Sequence, residues 1–119
     1  LPVALGAAVQ QRDDGTTTLD PHLAAAALYG SCSAQAIAAA LPRLSPQPVA
    51  TMTESVTGSP RTDIPSSYLR CLRDQAVHPT HQAVMAARCR QQVDIDTDHS
   101  PFVSATREVA DHLERIARS

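Results

Sequence analysis

The C-terminal half of the chain has a clear alternation of apolar and polar positions. Residues 67–72 (Ser-Tyr-Leu-Arg-Cys-Leu) form a strand candidate, followed by a loop over 73–79. Residues 80–89 carry Ala83, Val84, Ala86 and Ala87 as the apolar positions of a helix. Residues 92–96 (Gln-Val-Asp-Ile-Asp) alternate with period two, which predicts a short strand, and 97–101 form a second loop. From 102 to 118, Val103, Val109, Leu113 and Ile116 recur at helical spacing, which predicts an amphipathic helix. Strand, helix, strand, helix is a βαβ unit with a parallel sheet. A parallel pair must be covered on both faces and normally belongs to a larger sheet. No other strong strand is visible, so the chain is expected to be part of an α/β fold and not the whole.

The first third has a different texture. Asp13-Asp14-Gly15 marks a turn, and Thr16-Thr17-Thr18 a short extended piece. Asp20-Pro21 is an N-cap followed by proline at the first helical position. The helix it opens runs over 22–29 and stops at Gly30. Ser33 caps a second helix over 34–41, ended by Pro42. Twenty residues of the chain are Ala, many of them in these helices. Such helices form readily but bury little area per residue. Residues 45–65 hold Pro46, Pro48, Gly58, Pro60 and Pro65 among Ser and Thr, the composition of a connecting segment. A structureless loop of that length is unusual inside a compact domain, and the main organisational boundary is expected here.

Composition narrows the classes. With 119 residues there is room for one domain of modest size. All ten basic residues are Arg, set against twelve acidic ones, with no basic cluster. Neither nucleic acid nor an anionic membrane is therefore an expected partner. No run approaches the ~18–20 continuous apolar residues of a membrane span. Cys32, Cys71 and Cys89 are odd in number and widely spaced, which is no disulfide framework. They are expected as small buried hydrophobes in a reducing, cytoplasmic setting. Residues 1–9 are apolar but lack the charged leader of a signal peptide. The start at Leu1 instead of Met suggests that something upstream has been removed.

The chemistry is expected where functional groups gather in open parallel sheets, in loops beyond the carboxyl ends of the strands. The first such loop carries Asp74, and the second carries Asp98-His99. A right-handed crossover puts both loops on one edge, where a carboxylate and an imidazole can meet. That pair is the acid–base half of a nucleophilic triad. Asp98 is expected to be solvated or turn-stabilising, since adjacent side chains rarely face one another. His78-x-x-His81, with Cys71 and Cys89 nearby, lacks the tight ligand pairs of a zinc site. His22 and His112 are expected on the surface, and Cys71 at a buried strand end.

Several stretches resemble a known family. One is residues 66–86, with Cys71, then Asp74-Gln75-Ala76-Val77-His78-Pro79, then Gln82 and Met85. Another is residues 93–104, with Asp98-His99-Ser100-Pro101-Phe102. Together they resemble the acid loop and the His loop of α/β-hydrolases, in the esterase and hydroxynitrile lyase branch. Val77 stands where that branch usually has Ile, and His78 where Pro is common. Leu28-Tyr29-Gly30-Ser31-Cys32 and Leu44-Ser45-Pro46-Gln47-Pro48 resemble its cap helices and the Pro-rich return to the sheet. The resemblance implies cap helices over 1–45, a connection over 46–65, and the C-terminal βαβα portion of the core over 66–119. It implies Asp74 as triad acid and His99 as base, with Leu28, Tyr29 and Ile37 as candidates to line a substrate pocket. No metal or organic cofactor is implied.

The nucleophile of that family sits on a G-x-S-x-G elbow after a strand. Gly30-Ser31-Cys32-Ser33-Ala34 imitates it only loosely, without a preceding strand, and is set aside. The resemblance therefore implies the acid–His half of a serine carboxylester hydrolase acting on a small ester, inactive by itself. Nucleophile and oxyanion hole would come from an N-terminal half, covalent or as a second chain. A hydroxynitrile lyase or C–C hydrolase on the same framework is the alternative. The lyases depend on a cationic side chain near the cap, usually Lys, and this sequence has none. A non-catalytic relic or binding module is the third reading. A companion polypeptide carrying G-x-S-x-G would discriminate against it.

Overall fold

A computed structural model describes residues 3–58 and 63–119. Leu1 and Pro60, part of the expectations above, lie outside the described residues. The N-terminal part opens with a short helix α1 (Ala4–Ala8) that runs directly into strand β1 (Val9–Gln11). The chain then reverses into β2 (Thr16–Leu19), antiparallel, with Gln11 opposite Thr17. The reversal follows from the Asp-Asp-Gly signal. Asp14 Oδ1 accepts the Thr16 N–H at 3.0 Å. Gly15 takes φ +80°, which a residue without Cβ adopts without strain.

Helix α2 (Pro21–Tyr29) begins as its sequence dictates. Asp20 accepts the N–H groups of His22 and Leu23, and Pro21 occupies the first turn. Ser33 accepts the Ala36 N–H to cap α3 (Ala34–Ala40), which tightens into a 3-10 turn over Leu41–Arg43. Strand β3 (Gln47–Pro48) then pairs with β2, and a single turn of helix, α4 (Ala50–Thr53), follows. The result is a three-stranded antiparallel sheet in the order β1-β2-β3. Two of these elements fall inside 46–65, so that segment is not structureless throughout. Ala8, Ala24 and Ala27 are fully buried among residues of α1 and α2. Each such methyl contributes only on the order of 0.8 kcal/mol, but its small size lets the backbones approach closely.

In the C-terminal part, β4 (Ser67–Cys71) and β5 (Gln91–Ile95) pair in parallel, with Cys71 opposite Ile95. Helix α5 (Pro79–Ala86) connects them and packs on β4. Along β5, Ile95 is buried and Val93 half-buried while Gln92 and Asp94 face solvent, the alternation its sequence predicts. Ile95 is the one large side chain that is fully buried among the described residues.

Two features depart from the periodicity. The helix expected over 102–118 is broken at Ala105 into α6 (Pro101–Ser104) and α7 (Thr106–Ala117). Along α7 the inward positions are Val109, His112 and Ile116, while Leu113 is 59% exposed. His112 is thus buried, not superficial, with Nδ1 3.1 Å from the Arg115 guanidinium. On α5 the buried positions are Gln82 and Ala86, and Val84 points outward. No single helix among the described residues is long and apolar enough to cross a membrane.

Candidate functional site

The parallel pairing of β4 and β5 puts the loops that follow them side by side. Asp74 lies three residues beyond the end of β4, and His99 four beyond the end of β5. His99 Nδ1 is 2.9 Å from Asp74 Oδ2. The Asp74 side chain is 4% exposed and that of His99 38%. The carboxylate is therefore withheld from solvent, while the imidazole stays accessible to a reactant.

The Asp74 carboxylate is surrounded by donors. Oδ1 accepts the N–H groups of Ala76 (2.7 Å) and Val77 (2.9 Å), which wraps the loop around the side chain. Oδ2 accepts from Gln82 Nε2 (3.1 Å) and pairs with His99. Four donors suit an ionised carboxylate, which is acceptor-only. A proton held on Nδ1 by this pair leaves Nε2 as the basic nitrogen of the neutral imidazole. Such a ring can take a proton from a nearby hydroxyl and return it to a leaving group.

Gln82 is a site residue that its sequence position marks only weakly. Its side-chain amide accepts the Cys71 N–H (2.8 Å) and donates to Cys71 C=O (3.1 Å), Val77 C=O (2.8 Å) and Asp74. The amide acts as an extra peptide unit against the edge of β4 turned away from β5. The signal in the sequence is a lone Gln at a position that shares a helix face with Ala86.

Asp98 is not solvated. It is 2% exposed. Its Oδ1 accepts from Ser100 N–H (3.0 Å) and Ser104 hydroxyl (2.8 Å), and Oδ2 from Ser31 N–H (2.9 Å) and Cys32 Sγ (3.4 Å). Burial alone pushes this carboxyl up. The bonds from Ser31, Ser104, Ser100 and Cys32 outweigh it and leave the group below its ordinary value. Its turn-stabilising bond to Ser100 is present. Its reach to residues 31–32 is the part that adjacency in sequence conceals. The Gly30-Ser31-Cys32 stretch follows a helix, and its Ser31 N–H is spent on Asp98.

His99 also lines an open cavity of about 560 Å³ bordered by the N-terminal part. Its apolar wall includes Leu5, Leu19, Leu28, Leu41 and Met52, and its polar groups besides His99 are Thr17, Thr18, Ser45 and Gln47. His99 is the only titratable residue on that wall among the described residues. Of the three pocket candidates, Leu28 faces this cavity. Tyr29 lines a separate, shallower groove with Arg43 and Phe102, and Ile37 lines neither. His78 caps α5 by accepting the Thr80 N–H, and no group of three metal-ligating side chains occurs among the described residues.

No family model and no curated protein matches this sequence. Solved structures do. Polyneuridine aldehyde esterase is 18% identical with a TM-score of 0.75, covering 92% of this chain and 47% of that one. A methylesterase from Arabidopsis is 17% identical with a TM-score of 0.78, covering 87% of this chain and 47% of that one. At such identity the likeness carries the fold alone: the chain has part of the α/β-hydrolase fold and spans about half the length of these two proteins.

Proposed function

We propose that this chain supplies the acid and the base of a serine carboxylester hydrolase acting on small esters. The observation that carries this reading is the 2.9 Å pairing of Asp74 with a His99 that lines an apolar cavity. A serine nucleophile and an oxyanion hole would come from residues preceding this stretch, on the same chain or on a second one. In this reading Asp74 holds the His99 ring with its proton on Nδ1. Nε2 takes the serine proton as the serine oxygen bonds to the ester carbonyl carbon. It then gives that proton to the departing alcohol oxygen, and a water repeats the cycle on the acyl-enzyme. Leucine and methionine on the cavity wall suit an uncharged acyl or alkyl group. The esterase and methylesterase names of the matched structures point to the same reaction class. Residues 1–45 act as a cap over the pocket in this picture, and residues 66–119 as the end of the core.

The test is fluorophosphonate labelling of the complete native protein, read by denaturing mass spectrometry. The expected adduct sits on a serine outside these 119 residues and is lost in His99→Ala. Asp74→Asn slows turnover by on the order of 10³–10⁴, because the ring loses its tautomer control. An unlabelled wild-type protein, or labelling indifferent to His99→Ala, overturns the reading.

A further inference from the structure

A buried carboxylate that the proposed chemistry does not consume sits beside His99 in sequence and turns away from its ring. Asp98 is as buried as Asp74, yet the ring's carboxylate partner is Asp74. The two oxygens of Asp98 serve different parts of the molecule. Oδ1 takes Ser100 N–H and Ser104 hydroxyl, which closes a loop around the backbone of His99. Thr97 Oγ1, on the other side of His99, lies 2.5 Å from the same Ser104 hydroxyl. Oδ2 takes Ser31 N–H and Cys32 thiol, from the segment between α2 and α3. Three residues before Ser31, Leu28 lines the cavity that His99 also lines.

We propose that Asp98 is a positioning residue that locks the loop of His99 to the turn after α2, the helix whose Leu28 lines the substrate cavity. The inference rests on His99 being the base. Its consequence is that the distance between base and pocket wall is set by one side chain and not by the sheet alone. The acid fixes the ring's tautomer. Asp98 fixes where the ring stands relative to the bound acyl or alkyl group.

Asp98→Asn in the complete native protein tests this. Asparagine keeps one oxygen, so its NH₂ must face two donors, either Ser31 N–H with Cys32 thiol or Ser100 N–H with Ser104 hydroxyl. The readouts are kcat and KM on p-nitrophenyl acetate and butyrate, and the low-field Nδ1 proton of His99 by NMR. The expected result is a loss of about 10- to 100-fold in kcat, as a small misplacement of a reacting group produces. The acetate-to-butyrate ratio changes, and the His99 proton signal shifts or broadens. A structural role alone lowers both esters by the same factor and leaves that signal in place, which overturns the proposal. If Asp98→Asn does not fold, Ser104→Ala and Cys32→Ala each remove one donor. A His99 signal unmoved in both overturns it equally. A wild-type protein that cleaves neither ester refutes the esterase reading, and the His99 signal still decides the positioning claim.

Discussion

Replacing Gln82 by Leu isolates how the acid loop is held. Gln82 is 2% exposed, and its amide meets four partners. Leucine fills a similar volume with no polar atom. The Cys71 N–H then faces an apolar side chain at the end of β4. Cys71 C=O keeps a 3.4 Å contact from Asp74 N–H, and Val77 C=O is only half-buried. The heaviest losses are therefore the acceptor of one buried donor, Cys71 N–H, and a donor to the buried Asp74 carboxylate, at about 1–3 kcal/mol each, with smaller contributions from the two carbonyls. The better burial of leucine returns a part of this. A net destabilisation of about 3 kcal/mol is expected, on the order of 100-fold in the folding equilibrium. Equilibrium urea unfolding measures it, with the midpoint falling and the slope unchanged. Gln82→Glu is expected to be worse, since a second oxygen would face Asp74 Oδ2 and two carbonyls. A loss below about 0.5 kcal/mol for Gln82→Leu, the range of an ordinary surface change, refutes the bridging role assigned to this amide.

Other outcomes follow from single groups. Ile95→Ala, at the one large fully buried side chain among the described residues, should cost about 2–5 kcal/mol in the same unfolding experiment. Burial pushes the Cys32 thiol up to about 11, with Asp98 adding to it, and burial with Asp74 and Asp98 does the same to Cys71. Both lie above the ordinary 9.0, so their stabilising effect is complete below pH 9 and is lost as pH rises through about 11. Alkylation of Cys32 by iodoacetamide, followed by mass spectrometry, should still climb about tenfold per pH unit above pH 9. Asp98 has the opposite sign. Its carboxyl lies below its ordinary 3.8, so its contribution is present above about pH 4 and disappears as pH falls through the lower folded value. Urea midpoints measured from pH 5 downward should therefore fall less steeply in Asp98→Asn than in the wild type.

The parts of the fold written in local chemistry are legible in the sequence. Asp20-Pro21 and Ser33 open helices where a cap rule places them, and Val93 and Ile95 alternate as a half-buried strand must. The β1-β2-β3 sheet is not legible, for a physical reason. Strands of two to four residues carry too few positions to establish a period, and β3 is a Gln-Pro pair that pattern assigns to loop. Its identity as a strand comes from pairing with Thr16 and Thr17, some 30 residues away. The break at Ala105 is equally silent, because an alanine at that position favours helix and only tertiary placement of α6 and α7 interrupts it.

The site shows the same division more sharply. Asp74, Asp98 and His99 are visible as residue types in strand-end loops, and adjacency itself argues against Asp98 as the ring's partner, since neighbouring side chains rarely face one another. Asp98 adjoins His99 and does not hold its ring; Asp74 is 25 residues away and does. The choice is made by where donors converge. Ala76 and Val77 N–H groups fold the first loop back onto Asp74 Oδ1 and leave Oδ2 aimed at the neighbouring strand's loop. Ser100 and Ser104 draw Oδ1 of Asp98 into its own turn, and Ser31 draws Oδ2 across to the turn after α2. Exchanging the roles would strip buried donors at both sites, at about 1–3 kcal/mol each, so the two carboxylates are not interchangeable. One carboxylate holds the His99 ring, and the other holds the backbone that carries it. A parallel pair of strands can present both because its two loops leave the sheet at one edge.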